Sequence, residues 1–428
     1  MSEADRRESA AFRVVIDTRV VSGLSGGIES VIIGLVGGLS RLDDGPEHFV
    51  ALAYEGHDDW IRPHLGGTVR LVHVKPPDAI GSPSLGRRIK TSLPRVAKVW
   101  SNRPDALIRS SKPPRSDGTI ERLNADVMHF TSQSGFMTSV PSLYHPHDLQ
   151  HVHLPQFFTR RTRRWRDDWY GALIKQASMV PVASTWTKHD VETHFSTPPG
   201  KVVVVPLAPP TAEYRDPTEA AVEEAMRRLS IPPAFAMYPA QTWKHKNHVN
   251  LLDALALLRE RDGVVVPFVA PGRQSEAFPA LARHAERLGI ADQVRWLGFV
   301  SADDLQCLYR RARVVVIPSR FEAASAPLWE AFRAGIPTAC SNVTSLPEQA
   351  GDAALIFDPD DVPQIASAIR RLWTDDGLRA ALMQRGYERV RPMSWDRTAR
   401  TFRAHYRRIG GRALSDDDRD LLAAAPYI

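Results

Sequence analysis

Cysteine is nearly missing from this chain: Cys307 and Cys340 are the only two in 428 residues. Two isolated thiols build neither a disulfide framework nor a thiolate metal cage, and they suit reduced, packed side chains in a cytoplasmic protein. Long apolar runs are missing as well, which excludes a helix that spans a bilayer. The opening MSEADRRESAA mixes charges and lacks the apolar core of a secretory signal, so it reads as a disordered lead-in. No Asp-x-Asp metal site is apparent: Asp416 to Asp418 fall in a terminal tail, and Asp358 to Asp361 in a loop after a strand. The histidines of HPHDLQHVHLP come without acidic or cysteine partners at a zinc spacing, so no metal is expected. Lysine stops at Lys246, although arginine continues to the end.

What is present suits a large soluble α/β protein. Hydrophobic residues make up 43% and charged residues 24%, and the length favours two cores over one. A formal charge of +6 favours an acidic partner: a phosphorylated ligand, an anionic membrane or a nucleic acid. Apolar runs read as strands at 12–17, 49–54, 69–74, 127–130, 142–145, 180–183 and 202–205, and again at 235–239, 263–270 and 314–317, with helical patterns between them. Strands alternating with helices in both halves mean two doubly wound parallel sheets. The Pro-rich PLAPPTAEYRDPTEA separates the halves. Residues 76–115 carry an apolar stripe beside a basic one, the pattern of an interfacial segment or of a surface helix with a solvated face. TRRTRRWRDDWYGALIKQA is a strongly basic helix candidate.

The stretch from 314 to 347 organises the second half. A β-branched run ends at Pro318, a loop follows, and Pro327 suits the first position of a helix over 327–334, closed by Gly335 and Pro337. A helix that starts at the carboxyl end of a parallel strand points its N–H groups into the crevice where such sheets bind anions. Glu322 in the loop and Glu330 in the helix can accept hydrogen bonds from sugar hydroxyls there. Taken alone, a first-turn Glu favoured by the helix dipole and a solvated loop Glu explain the same spacing. In the first half, Gly26 and Gly27 open a helix behind the first strand, where glycine permits close approach of a phosphate or merely a turn. Lys244 and Lys246 lie in the turn after the strand at 235–239.

Glu322 and Glu330, with seven residues between them, following PSRF and leading into AFRAGIPTACSN, resemble the E-x7-E signature of the family 4 retaining glycosyltransferases. SLPEQAGDAALIFDPDD also resembles that family, and the likeness extends over nearly the whole chain. It implies the GT-B fold, two Rossmann-like domains facing across a cleft: an acceptor-side domain over 1–208, a donor-binding domain over 209–395, and a C-terminal helix from about 396 to 428 crossing back. It further implies transfer of a hexosyl group from a GDP- or UDP-sugar to a hydroxyl of a glycan or lipid-linked acceptor, in polysaccharide or glycolipid synthesis.

The resemblance assigns roles as well. His147, in a His-Asp pair, would lie near the transferred sugar, with Glu322 on that sugar and Glu330 on the ribose. Lys246, Gly26, Gly27 and the helix start at Ser325, Ala326 and Pro327 would face the diphosphate, and backbone groups of Phe299 and Val300 the base. Two departures stand out. Ala323, Ala324 and Ser325 replace glycines, and the arginine expected five or six residues before Lys246 is Gln241 or Ala240, so Gln241 or Lys244 substitutes or fewer charges hold the diphosphate. No metal, cofactor or nucleic-acid partner is implied; peripheral contact with an anionic membrane on the cytoplasmic face is compatible with the basic segments. An epimerase or phosphorylase on the same fold, or a basic adaptor keeping it as a scaffold, are the rival readings.

Overall fold

The computed structural model describes residues 11–20, 22, 27–76, 112–210 and 216–426. The chain forms two units. The first comprises 1–183, 188–207 and 394–427, and the second 184–187 and 208–393. Gly26 and the basic stretch 77–111 lie outside the described residues.

The first unit contains β1 (Phe12–Asp17), β2 (Glu47–Tyr54), β3 (Val69–Val74), β4 (Val127–Phe130), β5 (Ser142–Tyr144), β6 (Val180–Val182) and β7 (Val202–Val204). Five of them form a parallel sheet in the order β3-β2-β1-β4-β5. β6 and β7 pair in parallel, and a bridge from Leu143 to Met179 joins that pair to β5. Strands covered on both faces need no polar alternation, which is why β1 and β4 are apolar runs. Two helices, Gly27–Ser40 and Trp395–Ile409, pack on one another in this unit. A methyl group at Gly34 would lie 2.0 Å from the Trp395 ring, so glycine lets the indole lie against the backbone.

The second unit contains β8 (Ala236–Met237), β9 (Phe268–Pro271), β10 (Val294–Gly298), β11 (Val314–Ile317), β12 (Thr338–Ser341) and β13 (Ala354–Phe357), in the order β10-β9-β8-β11-β12-β13, every pair parallel. This is the doubly wound order, which reverses between β8 and β11. All four residues of β11 are fully buried, as its β-branched run predicts.

Two strands are shorter than their apolar runs. The helix His248–Asp262 ends on Gly263 in the left-handed conformation, and β9 begins only at Phe268, after Pro267, which has no N–H to give to a ladder. The run at 235–239 likewise yields only two strand residues before Pro239. The helix expected over 327–334 spans Ala326–Arg333, with Pro in its first turn.

Candidate active site

In an open doubly wound sheet, the crevice lies at the carboxyl ends of the strands where their order reverses. In the second unit these are the ends of β8 and β11, and the loops leaving them carry Lys246 and Glu322. Lys246 Nζ donates to Glu322 Oε1 at 2.6 Å, and both side chains are largely buried, 16% and 7% exposed. Ser319 Oγ donates to the same oxygen at 2.5 Å, and its own oxygen accepts from the Tyr238 hydroxyl at 2.6 Å. Since Ser319 spends its hydrogen on the carboxylate, Tyr238 must be the donor of that second bond. Charge-assisted bonds of this kind hold Glu322 in one rotamer at the crevice floor.

The backbone of Glu322 is fixed as firmly as its side chain. Its N–H donates to Thr344 Oγ1 at 3.0 Å, and its carbonyl accepts from Thr344 Oγ1 at 2.6 Å and Ser345 Oγ at 2.7 Å. The next carbonyl, of Ala323, accepts from the hydroxyls of Ser184 and Thr187 at 3.0 and 3.2 Å. No residue from 318 to 326 has a positive φ, so Ala323, Ala324 and Ser325 follow this path without the freedom of glycine.

The helix Ala326–Arg333 starts beside Glu322 and is less open to an anion than its sequence suggests. Ser325 N donates to Gln349 Oε1 at 2.9 Å, Pro327 has no N–H, and Leu328 and Trp329 donate to the Ser325 carbonyl. The Ala326 amide is what remains. Glu330 lies inside the helix, 8% exposed, with the Tyr309 hydroxyl donating to Oε2 at 2.7 Å. Burial pushes its carboxyl up to about 7, and the Tyr309 bond opposes that rise.

Neighbouring loops complete this edge. Phe299, just after β10, is 73% exposed, which excludes a core role for its ring. Gly272, at φ +148, presses on the turn after β8: a methyl group there would lie 2.2 Å from the Ala240 carbonyl oxygen and 3.0 Å from Gln241 N. Gln241 and Val300 are half-buried and Lys244 is exposed.

In the first unit, His147 follows β5 with φ +61, a strained value for a residue with a Cβ. Its Nε2 lies 2.8 Å from the Thr131 carbonyl, which can only accept, so Nε2 carries the proton and Nδ1 of the neutral ring is an acceptor. Its ring sits 5.3 Å from that of His145, which stacks at 4.9 Å on His129, whose Nδ1 lies 2.6 Å from the Tyr406 hydroxyl. Burial lowers all three imidazoles below their ordinary range, His129 to about 3. The column is therefore neutral at physiological pH. Gly27 opens its helix with nothing within 4 Å of an added methyl group.

Sequence reasoning placed Lys246 and Glu322 in separate roles; the structure bonds them to each other. It missed Tyr238, Ser319, Thr344 and Ser345. Ser319 stands in the PSRF stretch that carried the resemblance, whereas nothing in the sequence marks Tyr238. Among the described residues, no group of three or more His, Cys, Asp or Glu side chains could hold a metal ion.

The parallel sheets of the two units, with a buried Lys–Glu pair at the reversal of the second, define an α/β protein of the GT-B class. The sucrose-phosphate synthase of Thermosynechococcus elongatus has the same fold, with a TM-score of 0.67 at 17% identity over 94% of this chain and 99% of that one. HepE of Anabaena, in a complex with UDP and glucose, gives a TM-score of 0.66 at 15% identity over 92% and 99%. Two family models match: "Glycosyltransferase Family 4" over residues 25–212 and "Glycosyl transferases group 1" over residues 223–389. The chain belongs to these glycosyltransferases. The O-antigen chain mannosyltransferase B of Escherichia coli is 29% identical over 261 residues, 60% of this chain and 68% of that relative.

Proposed function

We propose that this glycosyltransferase moves a hexosyl group from a GDP- or UDP-sugar to a hydroxyl of a glycan or lipid-linked acceptor, with retention at the anomeric carbon and without a metal. The observation that carries the reading is the Lys246–Glu322 pair at the reversal point of the second sheet. As the bond from the anomeric carbon to the diphosphate breaks, positive charge develops on the sugar and negative charge on the leaving group. Lys246 and the Ala326 amide stabilise the departing diphosphate, and Glu322 faces the cationic sugar. Glu330 accepts hydrogen bonds from ribose hydroxyls, and backbone groups at Phe299 and Val300 meet the base. His147, a neutral acceptor at Nδ1, accepts a hydrogen bond from a hydroxyl of the transferred sugar. The acceptor's proton leaves with the diphosphate. A relative named for O-antigen chain mannosyl transfer and a fold neighbour solved with UDP and glucose support this donor and acceptor class.

The reading is tested by the anomeric configuration of the product, read by NMR from coupling constants. Retention is expected; inversion overturns the assignment of Glu322. Transfer should also proceed undiminished in excess chelator, because a lysine and a helix start serve the charge that a metal would otherwise bear. Activity lost on chelation and restored by magnesium or manganese would contradict this.

No helix among the described residues is long and apolar enough to cross a membrane. The helix Arg160–Gln176 exposes Arg160, Arg161 and Arg164 near its start, and the chain carries a net positive charge. With this face, and with the basic stretch at 85–100 that lies outside the described residues, the protein contacts an anionic leaflet at the cytoplasmic side. Binding to acidic vesicles should weaken sharply as salt rises through the range where the screening length falls below about 10 Å, with little binding to neutral vesicles. Equal affinity for both vesicle types, or none for either, would favour a soluble acceptor.

A further inference from the structure

We propose that Arg273 supplies the second positive charge to the donor diphosphate, replacing in space the arginine that this chain lacks on the loop after β8. The inference rests on the nucleotide-sugar reading above. The charge balance asks for such a group. Lys246 is bonded to the Glu322 carboxylate at 2.6 Å, so the pair is close to neutral, whereas a leaving nucleoside diphosphate carries more than one negative charge. The positions where the arginine is missing hold Ala240 and Gln241, neither of them charged.

The loop after β9 brings the backbone of an arginine beside that place. Gly272 packs so closely on the Ala240–Gln241 backbone that a side chain would collide with it, and the next residue is Arg273. Thr242 N donates to the Arg273 carbonyl at 3.2 Å, Ser275 N donates to Thr242 Oγ1 at 2.7 Å, and Ser275 Oγ donates to the Thr242 carbonyl at 2.6 Å. Arg273 is thereby fastened to the loop that carries Lys246. It is half-buried, and among the described residues its guanidinium has no ion pair or hydrogen bond. By contrast, Arg320 on the loop after β11 is held by Asp360 at 2.7 Å. A partly desolvated cation without a protein partner is costly, and an oxyanion from a ligand removes that cost. The planar fork of a guanidinium can bond two phosphate oxygens at once, which the exposed, hydrated ammonium of Lys244 does less well.

The test is calorimetric titration of UDP and GDP, and of the corresponding nucleosides, into the parent, Arg273→Ala, Arg273→Lys and Lys244→Ala. Arg273→Ala should weaken the preferred nucleoside diphosphate by about 10- to 150-fold, the range for a charged hydrogen bond, and leave the nucleoside unchanged. Arg273→Lys should recover part of the loss, and Lys244→Ala should shift affinity by less than about threefold. Unchanged diphosphate affinity in Arg273→Ala overturns the inference. So does an equal loss for nucleoside and diphosphate, which would place Arg273 at the base. If the parent binds neither diphosphate, the nucleotide-sugar reading itself falls, an outcome distinct from a failure at Arg273 alone.

Discussion

Glu322→Ala should lower kcat by about two to three orders of magnitude, the usual cost of removing one group that stabilises charge in the transition state, while the donor KM stays level or falls. The asymmetry follows from the pairing. In the parent, Glu322 Oε1 holds both the ammonium of Lys246 and the hydroxyl of Ser319. Removing the carboxylate frees Lys246 to bind the donor diphosphate in the ground state, so binding need not weaken. What is lost is the negative group facing the sugar as it becomes cationic, an interaction that strengthens only on the way to the transition state. Glu322→Gln keeps an acceptor for Ser319 and Lys246 without the charge, and should lose nearly as much kcat as alanine. Steady-state kinetics on both variants, with thermal melts to confirm that the Tyr238–Ser319 chain survives, check this. A glutamine variant with near-parental kcat would show that the charge is not used.

Glu330 should behave in the opposite way, and its stability effect should depend on pH. The ribose changes little during reaction, so Glu330→Ala should raise the donor KM by about 10- to 150-fold, the range for a charged hydrogen bond, and leave kcat near the parental value. The stability effect follows from burial, which pushes the Glu330 carboxyl up to about 7 from its ordinary value of 4.5. Between those two pH values the folded chain holds a proton that the unfolded chain has released. Stability therefore falls as pH rises from about 4.5 to about 7 and is level above that. The full penalty is roughly 3 kcal/mol at pH 8. Glu330→Gln keeps an acceptor for the Tyr309 hydroxyl and cannot ionise, so it should be more stable than the parent by roughly 2–3 kcal/mol at pH 8 and show no gain near pH 4.5. Denaturant melts at the two pH values measure the difference. A gain of the same size at both would assign it to packing.

Much of the fold could be read from apolar runs because its strands are buried on both faces. β1, β3, β4 and β11 begin and end where the runs do. The runs at 235–239 and 263–270 overshoot, since Pro239, Gly263 and Pro267 interrupt the ladder within stretches that are still apolar. Of the site, the E-x7-E spacing and the isolated lysine were legible because both glutamates fall within one loop and helix. The bond from Lys246 to Glu322 was not, since it joins residues 76 apart whose meeting depends on β8 lying beside β11. Of the column of His129, His145 and His147, the last two fall in the histidine-rich HPHDLQHVHLP, whereas His129 comes from β4 and no sequence spacing links it to them. The column's neutral stacking depends on burial, which composition does not report.

The Lys246–Glu322 site should cleave a nucleotide sugar. The most direct test is release of nucleoside diphosphate from a panel of GDP- and UDP-sugars, measured for the parent and for Lys246→Ala side by side. The parent should release it from a narrow subset of donors, and release should fall by about two orders of magnitude or more in the variant. Release that is equal in both proteins, or absent from every donor with a well-folded parent, would contradict this.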